Sequence, residues 1–217
     1  MTGKSIFFDL DGTLTDSGEG IINSSIPALI HYGLPVPSRE EMRVFVGPPL
    51  HETFIQFGVP EDRADEAVEI FRSRYNTIGK FENTPYPGIR EMLEKLQAQG
   101  CRLFVATSKP ENTAIEVLEH FDLSRYFEII CGATMDRSRI NKEDVIDYLL
   151  KQVDGVKSTV MVGDTAFDVT GAAMHRIPTI GVSWGYGKVQ DMVEAGAVAI
   201  AHTPEELLAL LTQCVKF

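Results

Sequence analysis

Little in this 217-residue chain invites a cross-link or a membrane. Its three cysteines, Cys101, Cys131 and Cys214, lie far apart with no CxxC pair, so the thiols are read as buried and reduced in a cytoplasmic protein, with no disulfide framework. No apolar run approaches the roughly eighteen residues of a membrane span, and Thr2-Gly3-Lys4 leads at once into a strand rather than a signal peptide. Basic residues are outnumbered by acidic ones, 20 to 31, for a formal net charge of −11. A nucleic-acid polymer needs clustered Lys and Arg that are absent here, so no such partner is expected. Small anions stay open, because one metal ion and one lysine reverse the field locally. The five histidines, His31, His51, His120, His175 and His202, have no metal-ligand spacing. The single tryptophan stands in Trp184-Gly185-Tyr186-Gly187, read as a packed loop and not a base-stacking platform.

What is present is an ordinary globular balance, 44% hydrophobic with a mean hydropathy of −0.03. That is enough for one domain, or for a domain with an inserted module. Near the start, Ile6-Phe7-Phe8 runs into Asp9-Leu10-Asp11-Gly12-Thr13. On an extended strand, Asp9 and Asp11 would share a side. At about 4 Å and an effective dielectric of about 20, two like charges repel by about 4 kcal/mol. Bound Mg²⁺, which takes carboxylate, carbonyl and water oxygens, would resolve this. A solvated acidic turn ending in Asp-Gly accounts for the stretch equally well.

From about residue 16 to 82 the periodicity is helical. Ile22, Ile26, Leu29 and Ile30 form one stripe, and Ala64, Ala67, Val68, Phe71 and Tyr75 another. Ser38 is placed to cap a short helix, Gly47-Pro48-Pro49 interrupts regular structure, and Thr84-Pro85-Tyr86-Pro87-Gly88 reads as a hinge. Beyond it strands and helices alternate: strands at 102–107, 127–131, 159–162 and 179–182, and helices over 89–100, 114–121, 142–153, 166–174 and 205–214. The expected fold is an α/β, Rossmann-like parallel sheet covered by helices on both faces, formed by residues 1–15 and 83–217, with an inserted α-helical cap domain at 16–82.

Several strands end in polar residues: Asp9 and Asp11, Thr107-Ser108-Lys109-Pro110, and Gly163-Asp164 with Asp168 four further on. Carboxyl ends of parallel strands share the edge where open α/β sheets bind ligands. Each element also has a plainer account. Thr107-Ser108 and Asp164 could be helix caps, and Lys142, opening a helix, could be solvated. For Asp168, a second cap over the same helix end would serve no structural purpose.

Together, Asp9-x-Asp11-Gly12-Thr13, Thr107, Lys142 and Gly163-Asp164-x-x-x-Asp168 resemble the four signature motifs of the haloacid dehalogenase superfamily. The helical insert resembles its phosphoglycolate phosphatase branch, over essentially the whole chain. Two departures stand out: Ser108 where many relatives carry Asn, and a longer Arg137-Ser-Arg139-Ile-Asn-Lys142 approach. The resemblance implies that Asp9 is the nucleophile and Asp11 the acid/base. It implies Mg²⁺ held by Asp9, the Asp11 carbonyl and Asp164, with Asp168 ligating it or supporting a bound water, and phosphoryl oxygens met by Thr107, Ser108 and Lys142. Superfamily dehalogenases lack an acid at the Asp11 position and ion-pumping ATPases carry Thr there, so phosphate-ester hydrolysis or mutase chemistry is implied. A phosphonatase would need a Schiff-base lysine in the insert, and Lys80 near the hinge is its only lysine.

The insert is expected to act as a lid, with Arg43, Gly47 and His51 facing the substrate; a structural turn accounts for the 47–51 loop as well. The expected partner is a small phosphorylated metabolite, phosphoglycolate or a nucleoside 5′-monophosphate, and the protein a monomer or dimer. A signalling receiver domain also combines acids, Thr and Lys on a parallel sheet, but receivers are shorter and lack such an insert. A phosphorylated binding protein without turnover is the remaining alternative.

Overall fold

The computed structural model describes residues 4–136, 138–154 and 158–212. Thr2, Gly3, Arg137 and Cys214 lie outside that description. Two compact units divide the chain: one runs up to Thr15 and resumes at Pro85, and the other is Asp16–Thr84. Strand β1 (Ser5–Phe8) is followed by the two-residue β2 (Thr15–Asp16), which pairs with β3 (Thr84–Pro85) where the chain returns. Between β2 and β3 lie helices α1 (Gly18–His31), α2 (Leu50–Gln56) and α3 (Ala64–Tyr75), with short 3₁₀ turns such as Glu41–Phe45. The larger unit continues with α4 (Ile89–Ala98), β4 (Arg102–Pro110), α5 (Glu111–His120), β5 (Ile129–Ala133) and α6 (Lys142–Gln152). It ends with β6 (Thr159–Gly163), α7 (Ala166–Ala173), β7 (Thr179–Val182), α8 (Val189–Glu194), β8 (Ala199–Ala201) and α9 (Pro204–Thr212).

Six strands form one parallel sheet in the order β5-β4-β1-β6-β7-β8. The chain builds outward from β1 on one side and then returns to build on the other. The carboxyl ends of β1, β4 and β6 therefore meet at the point of reversal, where such sheets take ligands. Alternation along the strands splits the core in two. Ile6, Phe8, Leu103, Val105, Val160 and Val162 pack with α4, α5 and α9 residues, whereas Phe7, Phe104, Ala106 and Met161 pack against Val145, Ile146 and Leu149 of α6. Both faces being apolar, the strands read as continuous hydrophobic runs. Phe7 and Phe104, both fully buried, meet edge to face at 5.5 Å, and each such side chain contributes about 1.5–3 kcal/mol by leaving water.

Several boundaries differ from the sequence reading. In α1 the buried face is Ile21, Ile22, Ser24, Ser25, Ala28 and Leu29, while Ile30 is exposed. Close packing selects small residues here, since a Cβ on Gly20 would sit 1.9 Å from the Gly79 carbonyl, and an apolar stripe cannot register that. Strand β4 runs beyond Thr107 to Pro110, with a register shift against β5 between Ala106 and Pro110. Phe127 follows a 3₁₀ turn at Ser124–Tyr126, so β5 begins two residues later. The short α8 and β8 were not read from the sequence. Serine at 38 does engage Glu41, its amide and hydroxyl donating to Glu41 Oε2 at 2.9 and 2.7 Å. Among the described residues, no helix is long and apolar enough to cross a membrane.

Candidate active site

Just past the end of β1, the Asp9 amide donates to the Val162 carbonyl of β6 at 2.9 Å. The sheet itself thus fixes this backbone. Beyond it the chain leaves the extended conformation: Asp11 forms an isolated bridge to Thr15, and Gly12 turns with φ +83°. The two aspartates consequently do not stand side by side on a strand as the i, i+2 spacing suggested. Each carboxylate has its own buried lysine. Lys142 Nζ, from the first turn of α6, lies 2.8 Å from Asp9 Oδ1 and 2.8 Å from Asp168 Oδ1, and it donates to the Ala106 carbonyl at 2.9 Å. Lys109 Nζ donates to Asp11 Oδ1 at 2.9 Å and Oδ2 at 2.8 Å.

Asp164, at the end of β6, is held from three directions. Thr13 Oγ1 donates to its Oδ1 at 3.3 Å, the Tyr186 amide donates to its Oδ2 at 2.8 Å, and the Gly187 amide adds a further hydrogen bond. Trp184 Nε1 donates to the Thr13 carbonyl at 3.1 Å, tying the 184–187 loop to the first motif. Glycine is required where these loops converge. A Cβ on Gly12, whose φ already favours glycine, would lie 2.3 Å from Asp164 Oδ2, and one on Gly185 would also lie 2.3 Å from that atom.

Asp168 corrects the sequence reading, because it does serve a structural purpose, as the N3 partner of Thr165 in the capping box of α7. Its Oδ2 accepts the Thr165 amide at 3.0 Å and the Thr165 hydroxyl at 2.9 Å, while Oδ1 faces Lys142. One carboxylate thus closes the first turn of α7 and helps hold the lysine. Asp164 is not a cap, since Thr165 occupies that position.

Asp9, Asp164 and Asp168 are all buried, and one oxygen from each falls within 4.8 Å of the others. Burial pushes Asp9 up to about 6, against the pull of Lys142, and pushes Asp164 up to about 8, with Asp168 and Asp9 adding to the rise. Burial alone would depress the Lys142 ammonium, but Asp168 and Asp9 outweigh it and raise it. Three carboxylates share this cluster with one lysine, which pairs with Asp9 and Asp168 and not with Asp164. That excess of buried negative charge, presented entirely as oxygen donors, fits a hard divalent cation such as Mg²⁺.

Thr107 is buried, with Oγ1 accepting the Lys109 amide at 3.2 Å, whereas Ser108 is exposed. Arg43, Gly47 and His51 belong to the other unit. Arg43 is exposed in the Glu41–Phe45 turn, Gly47 is exposed with φ +106°, and His51 in α2 lies 4.0 Å from Glu52 and 3.8 Å from Asp65. Sequence reasoning assigned no role to Lys109, Thr13 or the Tyr186-Gly187 amides. Lys109 carried a signal, two residues after Thr107 and so on the same side of a strand; the amides carried none, since any residue supplies one.

A parallel sheet with carboxylates and lysines gathered at the carboxyl ends of neighbouring strands defines the class: an α/β protein with an acidic cluster where such sheets bind ligands. The chain belongs to the haloacid dehalogenase-like hydrolase family, whose profile matches residues 6–182. It is 43% identical over 198 residues to the tyrosine-protein kinase PtkA of Mycobacterium tuberculosis, covering 91% of this chain and 68% of that one. It is 40% identical to a 5′-nucleotidase of Pseudomonas aeruginosa (87% and 86% covered) and 33% identical to a phosphoglycolate phosphatase of Agrobacterium fabrum (86% and 83% covered). A solved structure described as a predicted phosphatase from Clostridium acetobutylicum superposes with a TM-score of 0.91 at 37% identity, covering 97% of this chain and 99% of that one.

Proposed function

We propose that this protein is a Mg²⁺-dependent phosphatase of small phosphomonoesters, working through an aspartyl-phosphate on Asp9. The observation that carries the reading is Asp11: a second, half-buried carboxylate beside the Asp9 cluster but paired with a different lysine. In this reading Asp9 attacks phosphorus in line, and Asp11 gives its proton to the departing oxygen and then takes one from the attacking water. Asp9, Asp164 and Asp168, with the Asp11 carbonyl, would hold Mg²⁺, which when bound supplies charge stabilisation at the phosphoryl oxygens. Thr107 and Lys142 meet phosphoryl oxygens as negative charge spreads over them, and Lys142 also holds Asp9 in place beforehand. The enzyme would act in the cytoplasm as a monomer or dimer.

Phosphoglycolate and nucleoside 5′-monophosphates are the proposed substrate candidates, supported by relatives named for each activity. The helical unit is proposed to choose between them, with Arg43 answering a substrate carboxylate; Arg43→Ala should then raise KM for phosphoglycolate and spare AMP. The kinase relative favours a second reading, transfer of the phosphoryl group to a tyrosine hydroxyl instead of water. Phosphate release over a panel of metabolite esters, run beside ATP-dependent labelling of tyrosine peptides, separates the two. Labelling without phosphate release would overturn the hydrolase reading.

A further inference from the structure

Among the described residues, Lys109 is the one buried ammonium at this sheet edge to which the family motifs give no task. Its side chain is 4% exposed and sits on β4, while the carboxylate it holds lies 98 residues earlier, in the turn after β1. Burying a lysine is costly without a partner, and Asp11, whose side chain is itself only 14% exposed, is that partner. Three features show what the contact does. Nζ reaches both oxygens of Asp11, at 2.9 and 2.8 Å, so one oxygen can stay anchored while the other turns elsewhere. The Lys109 backbone amide donates to Thr107 Oγ1 at 3.2 Å, so the same residue orients a second group of the site. The negative field of Asp9, Asp164 and Asp168 repels another carboxylate, and Lys109 supplies the attraction that keeps Asp11 at the edge of that field.

We infer that Lys109 is a positioning residue, the pivot on which Asp11 turns as general acid/base. This rests on the phosphatase reading above. As the bond from phosphorus to the ester oxygen breaks, its electron pair passes to that oxygen, and the proton on the outward oxygen of Asp11 follows. The inward oxygen stays on Lys109. In the second step the same outward oxygen receives the proton of the attacking water. A residue acting through Asp11 matters only where Asp11 matters, which sets its effect apart from a structural one.

The test compares kcat/KM, which reports the step that expels the alcohol, for p-nitrophenyl phosphate and for the better used of phosphoglycolate and AMP. Nitrophenolate leaves as a stable anion and needs no proton; the alkoxide does. Acid catalysis is worth about 10²–10⁴-fold, so Lys109→Met should lower kcat/KM for the alkyl ester at least about tenfold and for the aryl ester less than about threefold. Lys109→Arg, which keeps the charge, should fall between and guards against a misfolded Met variant. In an Asp11→Asn background the Met substitution should add less than about threefold, because its route of action is already gone. Equal losses on both esters, or an undiminished loss in the Asp11→Asn background, would overturn the pivot while leaving the phosphatase reading intact. A wild type that releases phosphate from none of these esters would overturn that reading, and the pivot with it.

Discussion

At Asp9 three influences compete: burial and the neighbouring carboxylates favour the neutral acid, and the Lys142 ammonium favours the anion. In the proposed mechanism Lys142 is therefore as much a part of the nucleophile as Asp9 itself. Asp9→Asn removes the attacking oxygen and replaces an anionic ligand with a neutral one of the same shape. Turnover should fall below detection while circular dichroism and melting show a folded protein; activity retained by the purified variant would exclude the covalent route. Asp11→Asn should behave differently. It keeps the nucleophile and the acidic cluster but loses the proton carrier, so kcat should drop about 10²–10⁴-fold. A smaller loss with alkyl esters would remove Asp11 from the acid/base role.

At the scale of elements, the site is made of loop backbones brought closer than side chains permit. Gly185 lies against Asp164, and a Cβ there would stand 2.3 Å from Oδ2, 2.4 Å from the Asp164 Cβ and 2.5 Å from the Gly12 carbonyl. Gly185→Ala should push Asp164 out of the cluster and weaken Mg²⁺ affinity about 10–100-fold, the usual cost of disturbing a ligand's supports; titration calorimetry would read this, and unchanged affinity would show Asp164 to be no ligand. The alternation of apolar strands with amphipathic helices made the sheet and its reactive edge legible before any coordinates. Asp9, Asp164, Lys142 and Asp168 then meet because α6 and α7 begin beside the ends of β4 and β6. The partition of Asp9 and Asp11 between two lysines was not legible, because it depends on where the chain leaves the extended conformation after Phe8. Nor was the double duty of Asp168, since capping and site chemistry use the same residue type. The short β8 and α8 escaped because three- and six-residue elements carry too little periodicity to read.

At the scale of the whole molecule, the acidic cluster links stability to pH and to metal. In the metal-free protein Asp9 sits at about 6 and Asp164 at about 8, each raised by burial above its ordinary value of 3.8. The folded state therefore holds these protons more tightly than the unfolded state. The stability this contributes is full below about pH 4 and is lost as pH rises through 6 and then 8. Under the proposed function Mg²⁺ should reverse the trend, because it would bind the ionised carboxylates that high pH exposes and stabilise only the folded chain. At a free concentration of about 100 Kd, such binding is worth about 2.7 kcal/mol. For a chain of this size that corresponds to a rise in Tm of about 5–10 °C. Thermal melts with chelator or with Mg²⁺ should show that full rise at pH 8 and a clearly smaller one at pH 5.5, where protons compete for the same oxygens. In Asp164→Asn the rise should shrink at both pH values and lose most of its pH dependence, since the group titrating near 8 is gone. A Mg²⁺-induced rise of the same size at pH 5.5 and 8, or one that survives unchanged in Asp164→Asn, would mean that the cation binds elsewhere on this strongly acidic protein.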